Sequence, residues 1–390
     1  MPRRRTKNIL IANIVRVLIR TEDQQLFEET TRRFLAAECP LDAWRELAGR
    51  DEDYDRAYWQ RGAELGWTSL VVPTERGGGS ISDQGVADLA LVAYQFGSHA
   101  APGPLLGSNI VAAALGRWGS NDHDGALQGL LEGRESGAWA LTEESPAVPL
   151  GHVEMQATAT ADGFVLQGVK SPVEGGAAAA SILVTARSGA GLMQFLVPSG
   201  AEGLRASPLH SLDMTKRFAR LEFDGVRVPR QALVGEEGQA AAAISWLFDL
   251  AVALQVAEMC GAMQWAFDAT LDWAINRYSF GRPLASYQEV KHRFADMKLW
   301  LEASTAIAAA AVDAVDRDLP NRSELVSAAK FYAGRYGPEL VQDCVQLHGG
   351  IGLTFDHHLH LFLRRVAANA ALFGTAGDHA TRLTDLFEAA

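Results

Sequence analysis

Cysteine is scarce in this chain. Cys39, Cys260 and Cys344 are the only three in 390 residues, too few and too scattered for a disulfide framework. No CxxC pair occurs, so neither a zinc ribbon nor a dithiol redox centre has a basis. Such sparing use fits a reducing cytoplasm. Basic residues are also in deficit: 35 Lys and Arg stand against 47 Asp and Glu, a formal net charge of −12. A general nucleic-acid binder carries a basic face, so nucleic acid is not an expected partner. The acidity favours solubility and still allows a local anion site built from a few arginines and helix N-termini. No uninterrupted apolar run of about 18 residues is present, so no membrane-spanning helix is expected. No GxGxxG follows a strand-like run, which removes support for a Rossmann dinucleotide site.

What is present divides into three textures after an unusual start. Arg3, Arg4, Arg5 and Lys7 precede an apolar run from Ile9 to Ile19, interrupted by Asn13 and Arg16 and followed by no small-residue cleavage site. This reads as a flexible or amphipathic extension rather than a signal peptide, with the folded part starting near Thr21. From there to about Gly133 the pattern is helical: Leu26, Phe27, Thr30, Phe34 and Leu35 recur at three- and four-residue spacing, as do Trp59, Ala63 and Trp67. Pro73 and Gly77–Gly79 break the chain, and Ala87–Phe96 and Ile110–Trp118 read as further helices. From Trp139 to Val234 short alternating runs take over, such as Val153, Met155 and Ala157, or Ala219, Leu221 and Phe223, punctuated by turns like Ala161-Asp162-Gly163. They predict an antiparallel sandwich or barrel. Beyond Glu236 the chain is helical again, with a long alanine-rich segment from Ala240 to Asn276, then Ser286–Ala314, Ser323–Leu347 and a final stretch from His358 to Phe387. Helices, then strands, then helices predict an α+β protein with parts at 21–136, 137–235 and 236–390, not a βαβ repeat.

Two segments carry chemistry. The first is Arg277-Tyr278-Ser279-Phe280-Gly281-Arg282-Pro283, followed by Ser286-Tyr287-Gln288 and Lys291-His292-Arg293. A planar cation with an aromatic three residues on suits a pyrophosphate and a ring system. Basic residues answering the dipole of a helix C-terminus would look the same. The second is Gln346-Leu347-His348-Gly349-Gly350-Ile351-Gly352-Leu353-Thr354, whose glycines admit close approach of a ligand or simply stop a helix. His357, His358 and His360 do not share one helical face and have no acidic or cysteine cluster beside them, so no metal is expected.

Together these stretches resemble the two signatures of acyl-CoA dehydrogenases, and the resemblance runs over nearly the whole chain after residue 20. Val72-Pro73 with Glu75–Gly79 is similar to the family's N-terminal glycine loop, Ala140-Leu141-Thr142-Glu143 to its flavin-facing loop, and Gly168-Val169-Lys170 to its strand motif. Ser211-Leu212-Asp213 through Val228-Pro229 and Gly235 resembles the exit from its β-domain. The resemblance implies an N-terminal helical domain, a central β-domain and a C-terminal four-helix bundle. It implies FAD as cofactor and an acyl-CoA thioester as substrate, desaturated between its α and β carbons. It further implies a cytoplasmic homo- or hetero-tetramer. Arg277 and Phe280 would meet the flavin nucleotide across a subunit contact. Gln346, Gly349 and Gly350 would line the same site, Leu141 and Thr142 would face the ring, and Thr375 would stand near it.

The departures concern the proton acceptor. The family places a Glu before a late Gly-Thr pair, or on the long helix; here those positions read Phe373, before Gly374-Thr375, and Ala251. Asp249, Glu258 and Asp378 are the nearby carboxylates, and Asp249 and Asp378 are the candidate substitutes; Asp249 equally suits a charge on a helix surface and Asp378 a helix cap. A family Arg on the long helix aligns with Val252, and Ser171-Pro172-Val173-Glu174 replaces an aromatic and hydroxyl pair beside the flavin. Glu143-Glu144-Ser145-Pro146 lacks the loop's usual glycine and serine. This pattern resembles the heteromeric acyl-CoA dehydrogenases of actinobacterial steroid breakdown, in which two unlike subunits share flavin sites and one supplies the base. A non-catalytic scaffold and a flavin monooxygenase of the same fold are the alternative readings.

Overall fold

The computed structural model describes residues 20–43, 53–144 and 153–389. The basic N-terminal segment and Ser145-Pro146 lie outside the described residues. In chain order the helices and strands are α1 (Glu22–Glu38), α2 (Arg56–Glu64), α3 (Gly85–Ser98), α4 (Leu105–Trp118), α5 (Asp124–Leu131), β1 (Gly137–Ala140), β2 (Gln156–Ala159), β3 (Gly163–Glu174), β4 (Ser181–Ser188), β5 (Gly191–Pro198), β6 (Leu204–Leu209), β7 (Phe218–Pro229) and β8 (Leu233–Val234). They continue with α6 (Ala241–Asn276), a small hairpin of β9 (Tyr278–Ser279) and β10 (Arg282–Pro283), then α7 (Gln288–Asp316), α8 (Arg322–His348), α9 (Leu359–Ala371) and α10 (Ala376–Ala389). The expected α+β order of helices, strands and helices is the order found.

Local chemistry explains the boundaries. Thr21 caps α1 through a capping box with Gln24, each side chain accepting the other's backbone N–H at 3.1 Å. The buried stripe of α1 is Gln24, Phe27, Thr31 and Leu35. Leu26, expected in that stripe, is 68% exposed. The face is rotated because the Gln24 amide is drawn inward to the Asp88 carboxylate at 2.9 Å.

The chain forms two compact units that interleave in sequence. One consists of residues 43–85 and 102–251 and contains the sheet. Its strands run in the order β6-β7-β3-β2-β4-β5-β8, with β1 beside β4. Most pairs are antiparallel, as expected, but β1 and β2 pair with β4 in parallel. The sheet is therefore mixed: β1 enters it from a helix, through no hairpin, and a parallel neighbour needs only a long connection. One core is filled by Phe164, Leu166, Phe195, Leu221 and Phe223, all at most 1% exposed. Helix α4 packs directly on β1: the Ser108 hydroxyl accepts Gly137 N–H at 3.0 Å, and a Cβ on Gly107 would fall 2.5 Å from the Gly137 carbonyl.

The other unit holds the described residues up to 42, 86–101 and 252 onward. Here α8 packs against α7, α9 and α10. It also meets α6, where Gly337 lies against Met263 and Met259. Trp265 of α6 stacks on Phe362 of α9 at 3.8 Å. Helix α6 alone, among the described residues, is long and apolar enough to cross a membrane; its apolar stretch is 94% buried within the protein. The absence of such a helix, expected from the sequence, rests on Asp249 and Glu258, which interrupt the run without making it polar on average. The predicted final helix, His358–Phe387, is in fact two, broken where Phe373 and Gly374 take positive φ of 58° and 101°.

Candidate functional site

In the sheet-bearing unit the loop leaving β1 is anchored at three successive residues. Lys170, in the middle of β3 and fully buried, donates to the Leu141 carbonyl at 3.0 Å and to Glu143 Oε1 at 2.7 Å. Ser171 N–H donates to the Thr142 carbonyl at 2.9 Å. Glu143 in turn accepts the Glu154 and Met155 N–H groups at 2.6 and 3.0 Å. Burial pulls the Lys170 ammonium down to about 8, against the attraction of Glu143. Burial pushes Glu143 upward, but Lys170 and the two amides outweigh it and leave that carboxyl below its ordinary range. The outcome is a rigid Leu141-Thr142-Glu143 loop. Among the described residues the Thr142 hydroxyl makes no hydrogen bond, so it is available to a ligand.

In the other unit α6 ends at the Arg277 N–H bond to the Trp273 carbonyl, 2.8 Å, and the hairpin follows. Phe280 forms its tip, 97% exposed and at φ 50°, with Gly281 at φ 80°. The Tyr287 hydroxyl donates to Ser279 O at 2.8 Å and the Arg282 guanidinium lies 3.8 Å over the Tyr287 ring, which fixes the hairpin's base. Arg277 is exposed and, among the described residues, makes no ion pair; its guanidinium sits 5.6 Å from the Trp273 ring.

Helix α8 ends at the glycine loop. Gly349 takes φ 68° and donates its N–H to Gln346 O, so the loop does stop the helix. A Cβ at Gly349 or Gly350 would nevertheless meet nothing within 4 Å, and Gln346 is exposed. The ends of α6 and α8 are tied together by a ring stack: His348 lies on Trp273 at 5.2 Å and 19°, and the His357 ring is 4.5 Å from that of His348. The two signature stretches thus adjoin within one unit. They assemble a guanidinium, an exposed phenyl ring and open glycine backbone, a donor set that fits an anionic, ring-bearing ligand.

The Gly374-Thr375 pair stands between α9 and α10. Thr375 N–H and hydroxyl both donate to Asp378 Oδ2, at 2.8 and 2.7 Å, and the Thr375 hydroxyl accepts Asp378 N–H at 3.3 Å. Those bonds hold Asp378 below the ordinary carboxylate range. Asp249 is fully buried on α6, as is Ala251. Glu258 is buried and bound by Arg365 at 2.5 Å and Asn369 at 2.9 Å. Among the described residues no cluster of His, Cys, Asp and Glu is arranged to hold a metal. Lys170, Trp273, His348, Lys330 and His379 have no role that the sequence alone assigns. Lys330 carries a signal even so, a charge on the buried stripe Val326, Ala329, Lys330, Ala333, Gly337.

Comparison with known proteins bears on this architecture directly. The acyl-CoA dehydrogenase N-terminal, middle and C-terminal domains match residues 21–132, 138–226 and 241–383. The chain is 28% identical over 363 residues to acyl-CoA dehydrogenase IpdE2 of Mycobacterium tuberculosis, covering 93% of this chain and 96% of that protein. It is 30% identical over 350 residues to acyl-CoA dehydrogenase FadE27 of the same organism, covering 87% and 91%. A chain of the ChsE4-ChsE5 complex from Mycobacterium tuberculosis superposes with a TM-score of 0.86 at 26% identity, covering 95% of this chain and 98% of that one. Three family domains in their proper order, over a helical–sheet–helical chain whose signature segments adjoin, make this chain a member of the acyl-CoA dehydrogenase family.

Proposed function

We propose that this chain is a subunit of an FAD-dependent acyl-CoA dehydrogenase that desaturates a bulky, steroid-type acyl-CoA and draws its proton acceptor from a related partner subunit. The observation that carries this reading is the chemistry of the base positions. Phe373 and Ala251 have no group that takes a proton, Asp378 is spent on the cap of α10, and Glu258 is spent on Arg365. The remaining candidate, Asp249, is wholly buried on α6.

The residues present fit FAD. Arg277 offers an exposed cation to a pyrophosphate, Phe280 a face for a ring system, and Gly349 and Gly350 room for close backbone approach. When bound, FAD supplies the acceptor for the substrate's β-hydride. Thr142, on a loop that Lys170 and Glu143 immobilise, would orient the ring through its free hydroxyl. The similar ChsE4-ChsE5 structure is that of a complex, which supports a hetero-oligomeric assembly here.

Co-expression with a Glu-bearing family member, followed by complex sizing, flavin counting per chain and acyl-CoA turnover, tests the proposal. A mixed complex that turns over, beside a lone chain that does not, is the expected outcome. Full-rate desaturation by the lone chain would end it.

A further inference from the structure

The break between α9 and α10 is held with more apparatus than a helix stop needs. Lys330 of α8 is fully buried, and its ammonium donates to Gln255 Oε1 and to the carbonyls of Asn369 and Leu372, the last at 2.8 Å. These carbonyls are the open C-terminal acceptors of α9, where a cation is favoured. The next carbonyl, Phe373 O, faces His379 Nε2 at 3.0 Å; the tautomer with a proton on Nε2 donates to it. His379 too is fully buried. Thr375 closes the turn against Asp378. By contrast, the carbonyls Asp313 O and Ala314 O at the end of α7 accept backbone N–H groups, from Arg317 and Leu319, beside an exposed Arg317–Asp313 side-chain pair.

Between these anchors stands a residue that a plain stop would avoid. Phe373 takes φ 58°, a region that glycine or asparagine fills in ordinary helix termini and that strains a bulky side chain. Strain of this kind persists only when the surroundings over-determine it, and here two buried donors do so. A buried ammonium is costly unless its hydrogen bonds are met, so an apolar residue at 330 would serve bundle stability more cheaply.

We infer that Lys330 and His379 are positioning residues of the flavin site: together they fix the Leu372–Thr375 turn so that the Phe373 ring and Thr375 are presented to the cofactor in one conformation. This rests on the reading that the turn borders bound FAD. Neither residue touches substrate; each acts through a backbone carbonyl. The groups around His379 agree with a neutral, donating ring: burial lowers it first, the bond to Phe373 O raises it, Lys330 and Arg382 lower it further, and Asp378 opposes them, leaving it at about 4. The turn therefore keeps its donor throughout the neutral range.

The test uses the co-expressed assembly, titrated with FAD and followed by fluorescence quenching and visible circular dichroism. Lys330→Met and His379→Ala are expected to weaken FAD binding about tenfold or more and to alter the visible dichroism of the bound flavin, while His379→Gln, which retains an N–H donor, restores both. Phe373→Gly, which takes the left-handed turn without strain, guards against a Lys330→Met variant that does not fold; it is expected to keep its melting midpoint yet change the flavin dichroism. Folded His379→Ala and Phe373→Gly proteins with wild-type affinity and dichroism would overturn the inference and leave the dehydrogenase reading intact. A wild-type assembly that binds no FAD would remove both.

Discussion

A lysine with no solvent exposure is stable only where its protons find acceptors. Lys170 places two of its three protons, on the Leu141 carbonyl and on Glu143, and the same carboxylate collects two amides from the segment entering β2. Removing one partner of such a pair leaves the other charge buried and uncompensated. Lys170→Met should therefore destabilise the sheet-bearing unit by about 3–5 kcal/mol in chemical denaturation. The double variant Lys170→Met with Glu143→Gln should cost less than the two single losses combined, because the pair acts as one. An additive double cycle would show that the contact contributes nothing as a pair. The sequence exposed this residue only as a strand motif. Its ion pair spans 27 positions, which periodicity does not report.

Two contacts between elements show how closely the helical unit is built. Gly97 of α3 and Gly261 of α6 face one another's helices: a Cβ on Gly97 would fall 1.9 Å from Glu258 O, and one on Gly261 1.9 Å from Tyr94 O. Gly261→Ala should cost about 3 kcal/mol in this packed site, although alanine in an open helix gains about 1 kcal/mol over glycine. A neutral or stabilising result would mean that the helices part easily. Asp316, the last residue of α7, caps the first turn of α3 by accepting Val86 N–H at 2.7 Å. Burial raises its carboxyl to about 6, helped by Asp88 and Asp313 and opposed by the Val86 and Ala87 amides. A folded-state value above the unfolded one means that the stabilising contribution is complete below about pH 4 and is lost as pH rises through about 6. Asp316→Asn keeps the acceptor and discards the charge. It should gain about 1–2 kcal/mol over the wild type at pH 7, after allowance for solvent screening, with the advantage gone near pH 4. Melting curves at both pH values check the sign.

At the scale of the assembly, the expectations concern cofactor and base. Arg277 is exposed and, among the described residues, makes no ion pair, so Arg277→Ala should leave the melting temperature of the flavin-free protein nearly unchanged. The same change should weaken FAD binding about 10- to 100-fold, the worth of a charged hydrogen bond. Asp249→Asn should leave turnover of a mixed complex intact, and loss of turnover with FAD binding and melting midpoint unchanged would identify a base within this chain.

Element types and order were legible in the residues, because helical and strand periodicities are local and the Pro, Gly and Thr21 signals mark their ends. The signature stretches around Arg277 and Gln346 were legible as well, since each is a contiguous string of chemistry. Three features were not: the Lys170 clamp, the Trp273–His348 stack that joins two helix ends, and the Lys330 and His379 bonds that break the last helix at Phe373. Each depends on groups distant in the chain that meet only after packing. Packing alone makes a buried cation choose backbone carbonyls and a bulky residue accept a left-handed turn.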